Sequence, residues 1–98
     1  MKTIQEIRET HQKEGLDSKF VRLYIHDLLT SYQSQNQPIQ VITLSKNSSG
    51  RHHIFRGLIV MNNSHECALL NVGKTKSCVS LIKFDDLRDL KLLGVENG

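Results

Sequence analysis

The run His53-Ile54-Phe55-Arg56-Gly57-Leu58-Ile59-Val60-Met61 sets the architecture. Its apolar residues fall on both parities, the pattern of a strand packed on two sides. Gly57 stands in the middle, where a missing side chain permits a sharp bend or bulge. A strand bent in this way serves both halves of a small barrel. The flanking sequence is punctuated to match. Upstream, Ile39, Val41, Ile42 and Leu44 mark a first strand after Pro38, and Asn47-Ser48-Ser49-Gly50 supplies the turn. Downstream, Asn62-Asn63-Ser64-His65 and Gly73-Lys74-Thr75-Lys76 read as loops around a third strand, Cys67 to Val72. A fourth strand follows from Cys78 to Phe84, then a tight turn at Asp85-Asp86 and a last strand from Leu87 to Leu93.

The first third is helical. Thr3-Ile4-Gln5-Glu6 has the capping-box pattern and predicts a helix from Ile4 to Glu14, ended by Gly15. Only Ile4 and Ile7 give that helix an apolar face, so it is expected to be weakly anchored, and free to move or to meet a partner. Asp17 or Ser18 can cap a second helix running to Tyr32. Its Phe20, Val21, Tyr24, Ile25, Leu28, Leu29 and Tyr32 recur at spacings of three and four and predict a stripe packed on the sheet.

The whole chain of 98 residues is expected to form one α+β domain, with a helical part at 1–34 and a five-stranded antiparallel barrel at 38–93. No apolar run reaches the length of a membrane span, and residues 1–6 turn polar where a signal peptide needs an apolar stretch, which points to the cytoplasm. In that compartment Cys67 and Cys78 are expected to be thiols buried as small hydrophobes.

The net charge of +3 is unevenly placed. Residues 1–34 balance five cations against five acids. From Lys46 to Lys83 there are six cations and one acid, Glu66. The cations Lys46, Arg51, Arg56, Lys74 and Lys76, with Phe55 as the one aromatic on a basic strand, form the candidate nucleic-acid site.

Other motif-like fragments have plainer explanations. Gly73-Lys74-Thr75 resembles the end of a phosphate-binding loop, but Ala68 stands where that loop needs its first glycine, and a strand follows instead of a helix. His52, His53, His65, Cys67 and Cys78 match no zinc spacing, so neither a metal nor a cofactor is expected. Asp85, Asp86 and Asp89 read as turn-forming carboxylates without an identifiable nucleophile or base. Asn47-Ser48-Ser49 and Asn62-Asn63-Ser64 fit the glycosylation pattern but read as turns.

A helix before five bent strands, the second written Ile54-Phe55-Arg56-Gly57-Leu58-Ile59-Val60, resembles the Sm-like small barrel, a variant of the SH3-like barrel. Within that group, the run from Asn36-Gln37-Pro38-Ile39-Gln40-Val41 through Gly57-Leu58-Ile59 to Ile82-Lys83-Phe84-Asp85-Asp86-Leu87-Arg88-Asp89-Leu90 is similar to the YolD-like proteins of Gram-positive bacteria and their mobile elements. The similarity covers residues 28–93, and the basic, Trp-containing N-terminal segment usual in those proteins is absent. Gly57 is the one residue carried over as a shared barrel feature.

The resemblance implies a binding module and not an enzyme. It points to an accessory or regulatory protein of a bacterium, phage or mobile element, acting by protein-protein binding in DNA repair or host defence. The alternative it implies is an Sm-like RNA- or single-stranded-DNA-binding protein. The acidic turn Asp85-Asp86 disfavours the latter, because an Sm-type site wants a basic residue near the last turn. A partly closed barrel has pairable edges, and the apolar strand Leu87 to Leu93 predicts a homo-oligomer.

Overall fold

The computed structural model describes residues 3–71 and 78–93. Two helices, α1 (Ile4–Lys13) and α2 (Lys19–Ser34), precede five strands. The strands are β1 (Ile39–Lys46), β2 (His52–Asn62), β3 (Glu66–Asn71), β4 (Cys78–Lys83) and β5 (Leu87–Leu92), with a 3₁₀ turn at Phe84–Asp86 between the last two. All pairings are antiparallel, in the order β4-β3-β2-β1-β5. The class is α+β, as expected.

The sheet is open and not a closed barrel, because β4 and β5 lie at its two edges. Closure would require these strands to hydrogen-bond to each other. Between them, however, the 3₁₀ turn carries Phe84 into the core, fully buried, with its N–H on the carbonyl of His65 at 2.8 Å.

The bend at Gly57 is where expected, for a more specific reason. Up to Gly57, β2 pairs with β1; from Leu58 onward it pairs with β3. A Cβ at residue 57 would overlap the carbonyl oxygen of Leu70 and lie 2.7 Å from its carbonyl carbon. Glycine is required because the β3 backbone passes where a side chain would stand.

The core lies between the concave face of the sheet and α2. It joins Val21, Ile25 and Leu29 of α2 to Ile39 and Val41 of β1, Ile59 of β2, Cys67 and Leu69 of β3, Ile82, Phe84, and Leu87 and Leu90 of β5. Asn62, read from sequence as a turn residue, ties β2 to α2. Its Oδ1 lies 3.0 Å from His26 Nδ1, and its Nδ2 donates to Thr30 Oγ1 at 3.0 Å.

Two helical expectations are corrected. The first helix is firmly held: its capping box forms, Ile4 is buried in the core, and Arg8 donates to the carbonyls of Phe84 at 2.8 Å and Leu87 at 2.9 Å. Burial lowers the Arg8 pKa, opposed by the charges of Asp85 and Asp86. The stripe on α2 is narrower than its seven residues suggested. Val21, Ile25 and Leu29 are buried and Leu28 and Tyr32 pack against them, but Phe20 and Tyr24 are exposed. One helix face about 100° wide touches the sheet, and seven apolar residues exceed that arc.

Candidate binding surfaces

Strand register assembles a surface on the convex side of β5, β1 and β2. Arg56, Gln40 and Lys91 form one row across the three strands, and Ile54, Ile42 and Asp89 the next. Side chains alternate along a strand, so these six share the face opposite the buried Ile39, Val41 and Leu90. Arg56 Nε donates to Gln40 Oε1 at 2.7 Å, which braces the guanidinium across two strands. Lys46 pairs with His52 further along the ladder, and Arg51 follows in the hairpin turn.

Ile54, at 53% exposed, sits beside half-buried Ile42 at the centre of the face. Asp89 is the acid there, and its Oδ1 accepts from the Leu90 N–H at 2.9 Å. Among the described residues the one ion pair is Arg22 with Asp85, at 3.6 Å, so Lys46, Arg51, Arg56 and Lys91 have no carboxylate partner there.

The sequence-predicted set therefore divides. Lys46, Arg51 and Arg56 come together along the β1–β2 hairpin. Phe55 does not join them: it pairs with Val41, faces the concave side, packs against the core and stacks on His53 with ring centroids 6.2 Å apart. Adjacent residues on a strand point to opposite faces, so Phe55 cannot offer a stacking platform beside Arg56. Lys74 and Lys76 lie outside the described residues. Lys91, absent from the predicted set, joins it through the β1–β5 register, a non-local pairing that local sequence pattern does not reveal.

Phe55 borders a different feature, a cleft of about 440 Å³ between β4 and the concave side of the hairpin, where Thr43, His53, Leu81, Lys83 and Asp86 also contribute. Its floor is braced by Asp86, whose carboxylate accepts from both the backbone N–H and the hydroxyl of Ser45, each at 2.9 Å. A third surface lies on the first half of α2 and the residues before it, where Leu16, Phe20, Leu23 and Tyr24 are between 43% and 51% exposed.

The remaining polar candidates serve structure. Asn47 Oδ1 accepts from the N–H groups of Ser49 and Arg51, and Asn63 Oδ1 from those of His65 and Glu66, which builds the two turns. The cysteines differ: Cys67 is buried, with its thiol pushed up to about 12 by burial and by Glu66, whereas Cys78 is exposed, contrary to expectation. Among the described residues no three of His, Cys, Asp and Glu gather as a metal-binding group. No helix among them is long and apolar enough to cross a membrane.

The fold and these surfaces define a class: a small α+β domain with two helices on an open five-stranded antiparallel sheet. No family model, curated protein or solved structure matches the chain.

Proposed function

We propose that this protein is a non-enzymatic accessory module that acts by binding another protein. The observation that supports this reading is the apolar patch on α2. Phe20, Leu23 and Tyr24 lie within the first two turns of α2, Leu16 stands just before it, and all four are substantially exposed. Clustered large apolar side chains on a surface are the usual mark of a docking site. The test is capture from host lysate on the tagged chain after nuclease treatment. Wild type should retain a nuclease-resistant protein partner that the Phe20→Ser, Leu23→Ser double variant loses without a change in melting temperature. Loss of every captured protein on nuclease treatment would defeat the reading.

The cations of the β1–β2 hairpin favour weak nucleic-acid binding as the second reading. With Phe55 turned inward, that binding should be no tighter than micromolar and should fall steeply with salt, because phosphate contacts act through counterion release.

Self-association is a further part of the proposal. Among the described residues each of β4 and β5 pairs with one neighbouring strand and is an edge of the sheet. Leu87 and Leu90 are already in the core, so any pairing would rest on backbone groups and not on an apolar β5 surface. Light scattering on concentrated protein should show a mass above that of an 11.2 kDa monomer.

A further inference from the structure

We infer that the convex face of β5, β1 and β2 docks an acidic amphipathic helix of a partner protein, its apolar stripe on Ile54 and Ile42 and its carboxylates on Arg56, Lys91 and Lys46. This rests on the protein-binding reading and adds a surface separate from α2.

The β1–β2 hairpin carries aliphatic residues on both faces. On the concave side Ile39, Val41 and Ile59 are buried in the core with Val21, Ile25 and Leu29 of α2. On the convex side Ile42 and Ile54 form a cross-strand pair with more than half of Ile54 in water. One face of the sheet is layered by a helix, and the other keeps this aliphatic pair among the polar side chains of Arg56, Gln40, Lys91 and Asp89.

The geometry selects a helix over a strand. Strand β1 is hydrogen-bonded to β2 on one side and β5 on the other, so the middle of this face offers side chains and no free backbone ladder. The charge selects an acidic partner. Arg56, Lys91 and Lys46 surround the Ile pair, none with a carboxylate partner among the described residues, and Asp89 is engaged by its own neighbour's N–H. Cations arranged around an apolar centre match carboxylates that flank an apolar stripe.

Two other occupants fit less well. A nucleic acid would meet the cations but leave Ile54 against phosphate and sugar, with no Phe or Tyr on this face among the described residues and the part-buried His52 as its aromatic ring. A second copy of the chain does not present the required helix. The exposed apolar residues of α2 are flanked by Lys19 and Arg22, and Ile4 of α1 is buried.

The test is a titration of the isotope-labelled full chain, followed by amide chemical shifts. The probe is a synthetic helix with leucines at i, i+3, i+4 and i+7 and glutamates elsewhere. Controls are the same peptide with lysines for glutamates, an all-glutamate peptide without leucines, and single-stranded oligo(dT). The leucine-glutamate peptide should shift residues 40–44, 52–56 and 89–91. Its affinity should fall roughly tenfold with Ile54→Thr and with Arg56→Glu, both keeping the wild-type melting temperature.

The lysine peptide should not bind. Shifts confined to Leu16–Tyr24 would overturn the sheet-face assignment and leave the protein-binding reading standing. Oligo(dT) binding the sheet face as tightly as the peptide would overturn both. Equal binding by the all-glutamate peptide, or no shift with millimolar peptide, would also overturn the inference.

Discussion

Ile39 and Ile54 belong to the same hairpin and are chemically identical, yet one is fully buried and the other 53% exposed. Ile39 lies on the concave face, where α2 completes its surroundings. Ile54 lies on the convex face, beside Arg56 and across from Ile42. Residue type therefore does not separate a core position from an exposed one in this protein. The separation comes from which parity of the strand faces the core that it shares with α2.

The strongest way to break this comparison is to remove the bend. Gly57→Val places side-chain atoms on the Leu70 carbonyl, where the β3 backbone has to move and β2–β3 pairing is disrupted. Overpacking alone costs about 1–3 kcal/mol, and a clash with backbone belongs at or above the top of that range. Denaturant unfolding should show a loss of this size or a chain that fails to fold. An unchanged midpoint would remove the hinge from the account.

A matched pair of substitutions measures the two faces directly. Ile39→Ala should cost about 2–5 kcal/mol, the range for a fully buried aliphatic truncation. Ile54→Thr keeps the β-branch and should alter stability by less than about 0.5 kcal/mol, as at other exposed positions. Comparable losses at both positions would mean that the convex face is already covered.

The smallest effect expected near neutral pH concerns Cys67, on the concave side opposite Ile82. Burial holds its thiol neutral and pushes its pKa up to about 12, with Glu66 adding to the shift. The unfolded thiol ionises first, so the stabilisation is complete below the ordinary thiol pKa and is lost as pH rises toward the folded value. The slope is at most about 1.4 kcal/mol per pH unit. Burial also raises the Tyr32 pKa, so the informative measurement is the difference between wild type and Cys67→Ala. That difference should be flat to neutral pH and change only in alkali.

Parts of this arrangement were legible before the structure. The capping box at Thr3 and Glu6, the strand breaks at Asn47–Gly50 and Asn62–His65, and the hinge at Gly57 are local features whose chemistry lies within a few residues. Arg8 was not legible. It follows Ile7 on a largely polar helix, and nothing nearby indicates that it donates to Phe84 and Leu87, 76 and 79 positions away. The candidate surface was half legible. Lys46, Arg51 and Arg56 cluster within one hairpin, whereas Lys91 reaches them only through the pairing of the last strand with the first. Phe55 was misplaced although strand alternation already separates it from Arg56.

What the sequence by itself determined is the order and type of the elements, because capping, turn chemistry and hydrophobic period act over a few residues. Only the tertiary structure decided that the sheet stays open, that Phe20 and Tyr24 leave the core stripe, that α1 is clamped by Arg8, and that Ile54 shares its face with Arg56 and Lys91. Each of these depends on contacts between residues far apart in the chain. A local pattern limits which side chains can be buried together, but only the packed arrangement selects which are.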